Sequence, residues 1–181
     1  MKKILCTGNP ETGLAAEIAT RFPGTSFASR ANGFELEWTT HRDRLAKLAL
    51  DHDVFINCSA LFHFHQSMVL EQVYKEALAA NHNLHIINIG STTDRATKGS
   101  DWRYQQEKKA LRSMSNAMGL KSVWQGGPKV SYVTFGTLEN NQQKHPDRKV
   151  MTMKEAVDMI EYTMNVPAHL VLNEISIDPI Q

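Results

Sequence analysis

The chain has 181 residues, 41% of them hydrophobic and 22% charged, so it can bury one sizeable core, and a single domain spanning residues 1–181 is expected. A formal net charge of +1 argues against a nucleic-acid or membrane-surface partner. Lys2 and Lys3 precede an apolar run too short for a signal peptide, and no run approaches membrane-spanning length, so a cytoplasmic protein is expected, with Cys6 and Cys58 as reduced, buried thiols.

Lys3 to Cys6 is an apolar run that leads into TGNPETGLAAEIATRF, where the glycines and Pro10 mark a turn and the segment from Leu14 reads as an amphipathic helix. Strand, glycine-rich turn and helix form a phosphate-binding arrangement. Gly8 and Gly13 let the backbone approach a pyrophosphate, and Thr12 is the expected N-cap of a helix whose free N–H groups attract anions. Thr25 to Ser29 suits a second strand, followed by Arg30, and Phe34 to Trp38 alternates with charge and predicts a third. Arg42 to Leu50 reads as a helix.

Asp53 to Ala60 predicts a fourth buried strand and its exit. Only small residues follow Asn57, namely Cys58, Ser59 and Ala60, which suits backbone lying close to a nucleotide ribose. His63-Phe64-His65 has no carboxylate or cysteine at ligand spacing, so no metal site is expected and the segment reads as a loop or pocket lining. Gln66 to Ala80 has helical periodicity.

Ile86 to Ile89 predicts a buried strand, and Ser91 stands at its C-terminal edge, where open parallel sheets bind ligands. Tyr104 lies thirteen residues beyond Ser91, and Lys108 follows four later, one turn away on the same face of a helix. An ammonium beside a phenol favours the phenolate, which makes the tyrosine a usable acid. Ala110, Leu111, Met114, Ala117 and Met118 give this helix an apolar stripe. Lys129 to Phe135 predicts a sixth strand ending at Gly136-Thr137; Thr152 to Met164 reads as a helix and Val171 to Asp178 as a last strand. Seven strands alternating with helices predict a Rossmann-like, doubly wound parallel α/β sheet.

The Ser91, Tyr104 and Lys108 set resembles the catalytic signature of the short-chain dehydrogenase/reductase family, and the C-terminal PAHLVLNEISIDPIQ resembles the last strand of its compact NADP-dependent members. The resemblance covers nearly the whole chain. It implies hydride transfer between a nicotinamide and a carbonyl or alcohol substrate, with Tyr104 as acid/base, Ser91 on the substrate oxygen, and Lys108 acting on Tyr104 and the nicotinamide ribose. The turn carrying Gly8, Asn9, Thr12, Gly13 and Leu14 is similar to the family's glycine motif, with one residue more between Gly8 and Gly13 and with Ala15 in place of the last glycine. Ser29-Arg30 at the second strand end implies NADP(H) rather than NAD(H), and Glu37 stands near a position that contacts adenine. Asn57, Ser59 and Ala60 take the place of an Asn-Asn-Ala-Gly segment, and Gly136-Thr137 that of a Pro-Gly turn over the nicotinamide.

The family's strand order makes the strands ending at Cys6 and Cys58 neighbours. The asparagine that supports a proton-relay water has no counterpart between Asn57 and Asn81, where His65 or Gln66 would have to stand in. Family members pair through the helices equivalent to 66–80 and 102–118, so a homodimer or homotetramer is implied. Residues 137–151 are short where relatives carry a lid, which implies an open pocket. The competing reading is a non-catalytic regulatory or scaffold protein that keeps the nucleotide-binding fold. Nucleotide-sugar epimerases share the tyrosine-lysine pair but need a further substrate domain. The segments expected to shape the pocket, 60–66, 92–101 and 137–151, carry no signature that names a substrate.

Overall fold

The computed structural model describes residues 2–96 and 100–180; part of the predicted pocket segment 92–101 therefore lies outside the described residues. Six strands form one all-parallel sheet: β1 (Ile4–Thr7), β2 (Ser26–Ala28), β3 (Val54–Asn57), β4 (His85–Ile89), β5 (Lys129–Phe135) and β6 (Glu174–Ile177), in the order β2-β1-β3-β4-β5-β6. Five helices cover it: α1 (Gly13–Arg21), α2 (Thr39–Ala49), α3 (His65–Ala79), α4 (Arg103–Gln125) and α5 (Met153–Met164). β1, β3 and β4 are buried along their whole length, which is why they read as unbroken apolar runs and not as alternating ones.

The strand period of two divides these residues between two cores. Leu5, Phe55, Ile86 and Tyr132 face α2, α3 and α4, where they meet Leu45, Leu70, Val73 and Leu111. Cys6, Ile56, Ile87 and Val133 face α1 and α5, against Ile18, Val157 and Ile160. The chain runs outward from β1 to β2 in one direction and from β1 to β3 in the other. That reversal opens a crevice at the strands' carboxyl ends, where all the exit loops converge.

The predicted strand over Phe34–Trp38 does not form, so the sheet has six strands and ends at β2. Tertiary hydrogen bonding overrides the alternating pattern. The buried Arg42 guanidinium donates to the carbonyls of Leu36 and Glu37 at 2.9 and 2.8 Å, taking acceptors that a ladder would need, while Trp38 N–H closes a turn on Glu35 O. Leu36 is buried and the neighbouring Trp38 is 60% exposed. The other elements fall within a few residues of their predicted bounds, except that α4 runs on past residue 118 to Gln125 and stops at Gly126, with φ 78°.

One contact fixes the turn after β4. Tyr132 on β5 passes its side chain directly over Gly90, so that a Cβ there would sit 2.1 Å from the phenol oxygen. Gly90→Ala must therefore displace a fully buried ring. It is expected to lower stability by about 3 kcal/mol in urea unfolding, at the upper end for overpacking, and the loss should largely vanish in a Tyr132→Leu background, because groups in contact are strongly non-additive.

Candidate active site

The exits of four strands line one cleft of about 710 Å³: Gly8, Asn9 and Thr12 after β1; Ser29 and Arg30 after β2; Cys58, Ser59, Ala60 and Phe62 after β3; and Gly90 after β4, with Tyr104 and Lys108 closing one end. Two of these exits are tied together by a buried hydroxyl. Thr7 Oγ1 accepts the N–H groups of Cys58 at 2.9 Å and Ser59 at 3.0 Å, which fixes the loop after β3 against the end of β1. Gly8 has φ 135°, and a Cβ on it would lie 3.1 Å from the Ala15 methyl. The missing third glycine is thereby accounted for, since the methyl of Ala15 occupies room that Gly8 leaves. Thr12 takes the N-cap position of α1, but its side chain makes no cap bond, so the first-turn N–H groups carry no side-chain cap at the cleft wall.

Lys108 is the charged centre of the cleft. It is 4% exposed, and its Nζ donates to Gln66 Oε1 at 2.7 Å and to Ile89 O at 3.0 Å. No carboxylate among the described residues pairs with it. Burial pulls its pKa down to about 8, against weaker upward pulls from Cys58, Asp94 and Glu107. Gln66 in turn donates to Asn57 O at 2.9 Å and Ile89 O at 3.0 Å, bridging the ends of β3 and β4. Asn57 Nδ2 donates to Gln66 O and to Asn88 Oδ1, and Asn88 Nδ2 to Ser115 Oγ, which carries the network across the core to α4.

The tyrosine differs from its expected state. Tyr104 is raised above the ordinary phenol range because it is buried; the Ser91 hydroxyl pulls the other way, and the Asp94 and Glu107 charges add to the rise. The Lys108 ammonium lies 5.5 Å from the Tyr104 ring centroid, over the face of the ring, and its hydrogen bonds go to Gln66 and Ile89. Lysine spacing alone thus does not produce a phenolate. Ser91 Oγ accepts from Thr93 N–H at 3.4 Å and Thr93 Oγ1 at 3.1 Å, which leaves its own proton for Tyr104 or for an incoming oxygen.

Beneath this pair, Tyr132 donates to Asp94 Oδ2 at 2.6 Å; desolvation holds its phenol well above the ordinary range, and desolvation also raises the Asp94 carboxyl. Arg112 Nη1 stands 4.0 Å from Asp94 Oδ1, and Arg112 Nη2 lies 2.6 Å from Glu174 Oε1 on β6.

Of the predicted site residues, Gly8, Asn9, Thr12, Leu14, Ser29, Arg30, Ser59, Ala60, Tyr104 and Lys108 line the cleft. Gly13, with φ 58°, opens α1 and is not among the lining residues, nor is the fully buried Asn57. Gly136 and Thr137 line a separate cavity of about 400 Å³ with Thr92 and Arg148; a Cβ on Gly136 would lie 2.7 Å from Asp178 Oδ1, so its smallness serves packing of the C-terminal segment. His63 and His65 Nδ1 lie 3.2 and 3.3 Å from Arg103 and Arg42 guanidinium nitrogens, which can only donate. No cluster that could hold a metal occurs among the described residues.

Sequence reasoning missed the part that Gln66 plays, along with Asp94, Tyr132 and the wall made by Leu138, Asn140 and Asn141. Only the missing relay asparagine hinted at Gln66. At the far end of the cleft Arg30 is exposed, its guanidinium has no partner among the described residues, and Glu35 and Glu37 line the same end.

No protein-family model and no curated protein matches the chain. Solved structures do. The chain is similar to serine dehydrogenase from Escherichia coli, at 16% identity and TM-score 0.73 over 96% of each chain. It is similar to a short-chain dehydrogenase from Burkholderia cenocepacia in complex with NADP, at 16% identity and TM-score 0.74 over 96% of this chain and 87% of that one. A third is 4-hydroxyisoleucine dehydrogenase complexed with NADH, at 16% identity and TM-score 0.73 over 97% and 96%. At this identity the likeness establishes a shared fold, that of the short-chain dehydrogenases.

The depressed lysine has a measurable consequence. Between its folded pKa of about 8 and an ordinary lysine value, the unfolded chain binds the extra proton, so stability rises with pH across that window. The expected gain from Lys108 is up to about 3 kcal/mol between pH 8 and 10, read as the difference between wild type and Lys108→Met in urea unfolding so that Cys6, which burial raises, cancels. Parallel profiles for the two proteins would show that Lys108 is not a buried cation.

Proposed function

We propose that the chain is an NAD(P)-dependent oxidoreductase, NADP(H) preferred, acting on a small carbonyl or alcohol. The observation that carries this reading is the meeting of Tyr104 and Lys108 at one end of a cleft whose other end holds Arg30. The residues fit a dinucleotide: Gly8 leaves room for close backbone approach, the α1 terminus offers N–H groups to a pyrophosphate, and the small side chains of Ser59 and Ala60 leave space along the floor. When bound, the nicotinamide supplies or accepts the hydride.

The chain's own residues do the rest. Tyr104, kept protonated by burial, donates its proton to the substrate oxygen during reduction and takes it back in the reverse reaction; Ser91 donates a hydrogen bond to the same oxygen. At neutral pH Lys108 holds a positive charge beside the tyrosine, steadying it when its proton leaves. Gln66 fixes the ammonium directly, in place of a water-supporting asparagine. That substitution also favours a second reading, a nucleotide-binding regulatory protein of the same fold, because it fills the inner side of the lysine. Oxidation of NADPH measured against a panel of aldehydes, ketones and quinones separates the two. Turnover is expected with at least one class, and Tyr104→Phe should lower it by about 10²-fold or more while NADP(H) still binds.

Cofactor choice rests on Arg30. A guanidinium meets a 2'-phosphate with two charge-assisted hydrogen bonds, so NADP(H) should bind about ten- to a hundredfold more tightly than NAD(H). Arg30→Ala should erase most of that gap in titration calorimetry. Equal affinities in wild type, or a gap that survives Arg30→Ala, would mean that Arg30 is only a solvated loop residue.

Two copies pair through α3 and α4 in this reading, as a homodimer or homotetramer. Met68, Leu120, Val123 and Trp124 form the exposed apolar residues there, with Trp124 83% exposed. Sedimentation should give an oligomer at micromolar concentration, and Trp124→Lys with Met68→Lys a monomer.

A further inference from the structure

Cys58 occupies the cleft without a part in the proposed reaction. It lines the cavity and is partly exposed, whereas Cys6 is wholly buried beside it. The backbone brings the two together. β1 and β3 are neighbours with Cys6 opposite Ile56, and Cys58 N–H bonds both Ile56 O at 3.0 Å and Thr7 Oγ1 at 2.9 Å, which folds the exit of β3 back over the end of β1. Cys6 belongs to the core that Cys58 packs against, and the Cys6 thiol donates to Thr7 O at 3.5 Å. Lys108, whose two hydrogen bonds go to neutral oxygens, lines the same cleft as Cys58.

We propose that Cys58 is an oxidant-sensitive thiol of the cleft, oxidised by a peroxide that enters it and then joined to Cys6 in a disulfide. Three features carry this. Cys58 lines the cleft, Lys108 lines the same cleft with only neutral oxygens as hydrogen-bond partners, and Cys6 sits on the neighbouring strand in the core that Cys58 packs against. The Cys6 thiol and the Lys108 ammonium both favour the Cys58 thiolate over its ordinary state, while burial keeps Cys6 protonated and out of reach of the oxidant.

The Cys58 thiolate attacks one peroxide oxygen; the O–O bond breaks, the leaving oxygen departs as an alcohol or water after taking a proton, and Cys58 becomes a sulfenic acid. Cys6 sulfur then attacks Cys58 sulfur, the S–O bond breaks, and water leaves with the Cys6 proton. Two thiols and one peroxide give one disulfide, one alcohol or water from the peroxide, and one further water. Forming the bond withdraws the Cys58 charge from Lys108 inside the cleft.

The test exposes the full chain to hydrogen peroxide with dimedone present and follows both cysteines by mass spectrometry. The proposal expects Cys58 to react about tenfold or more faster than glutathione at pH 7, wild type to end as the Cys6–Cys58 disulfide, and Cys6→Ser to accumulate the dimedone adduct on Cys58. Lys108→Met should slow the first step about tenfold and Lys108→Arg, which keeps the cation, should not. Reaction no faster than glutathione, first modification at Cys6, or wild type that over-oxidises without a disulfide would overturn it.

Discussion

A lysine ammonium buried without a carboxylate is the interaction to which the carboxyl edge of this sheet answers. Removing such a charge from water is costly, and among the described residues its hydrogen bonds go to neutral oxygens, Gln66 Oε1 and Ile89 O. Holding those oxygens in place recruits the rest: Gln66 spans β3 and β4, Asn57 locks the Gln66 backbone, and Asn88 extends the chain of bonds to Ser115 on the same helix that carries Lys108. Hydrophobic residues of similar size would pack there more favourably. A buried cation without a carboxylate partner at one end of a cleft is the feature on which the nucleotide-binding proposal rests.

A second buttress holds the other catalytic candidates. Tyr132 crosses over Gly90 to reach Asp94, so the turn carrying Ser91 is anchored to β5 from below, and Arg112 links Asp94 to Glu174 on β6. These groups also set the field at the site, since Asp94 raises both Tyr104 and Lys108. The tyrosine is therefore protonated in the free chain, chiefly because it is buried, with the Asp94 and Glu107 charges adding to the effect.

Most of the sheet was legible because β1, β3, β4 and β5 are covered on both faces and so leave unbroken apolar runs in the sequence. The segment around Leu36 was not, because its fate depends on Arg42, whose guanidinium takes two of its carbonyls, a contact no local pattern announces. Ser91, Tyr104 and Lys108 could be singled out by spacing, but the direction of the lysine's hydrogen bonds could not. Gln66 looks like any polar residue at a helix start, and its partners lie 9, 23 and 42 residues away. The packing of Gly136 was hidden for a related reason, since the close neighbour that leaves no room for a side chain there is Asp178, 42 residues further on.

The central claim is that Lys108 is a buried, partly neutralisable cation poised for a nicotinamide nucleotide. Lysine side chains labelled with ¹³C at Cε report their own titration by NMR. The account predicts one resonance, missing in Lys108→Met, that titrates near pH 8 in the free chain and shifts on addition of NADP⁺. Lysine signals that all titrate in the ordinary range, or a Lys108 signal indifferent to the nucleotide, would contradict it.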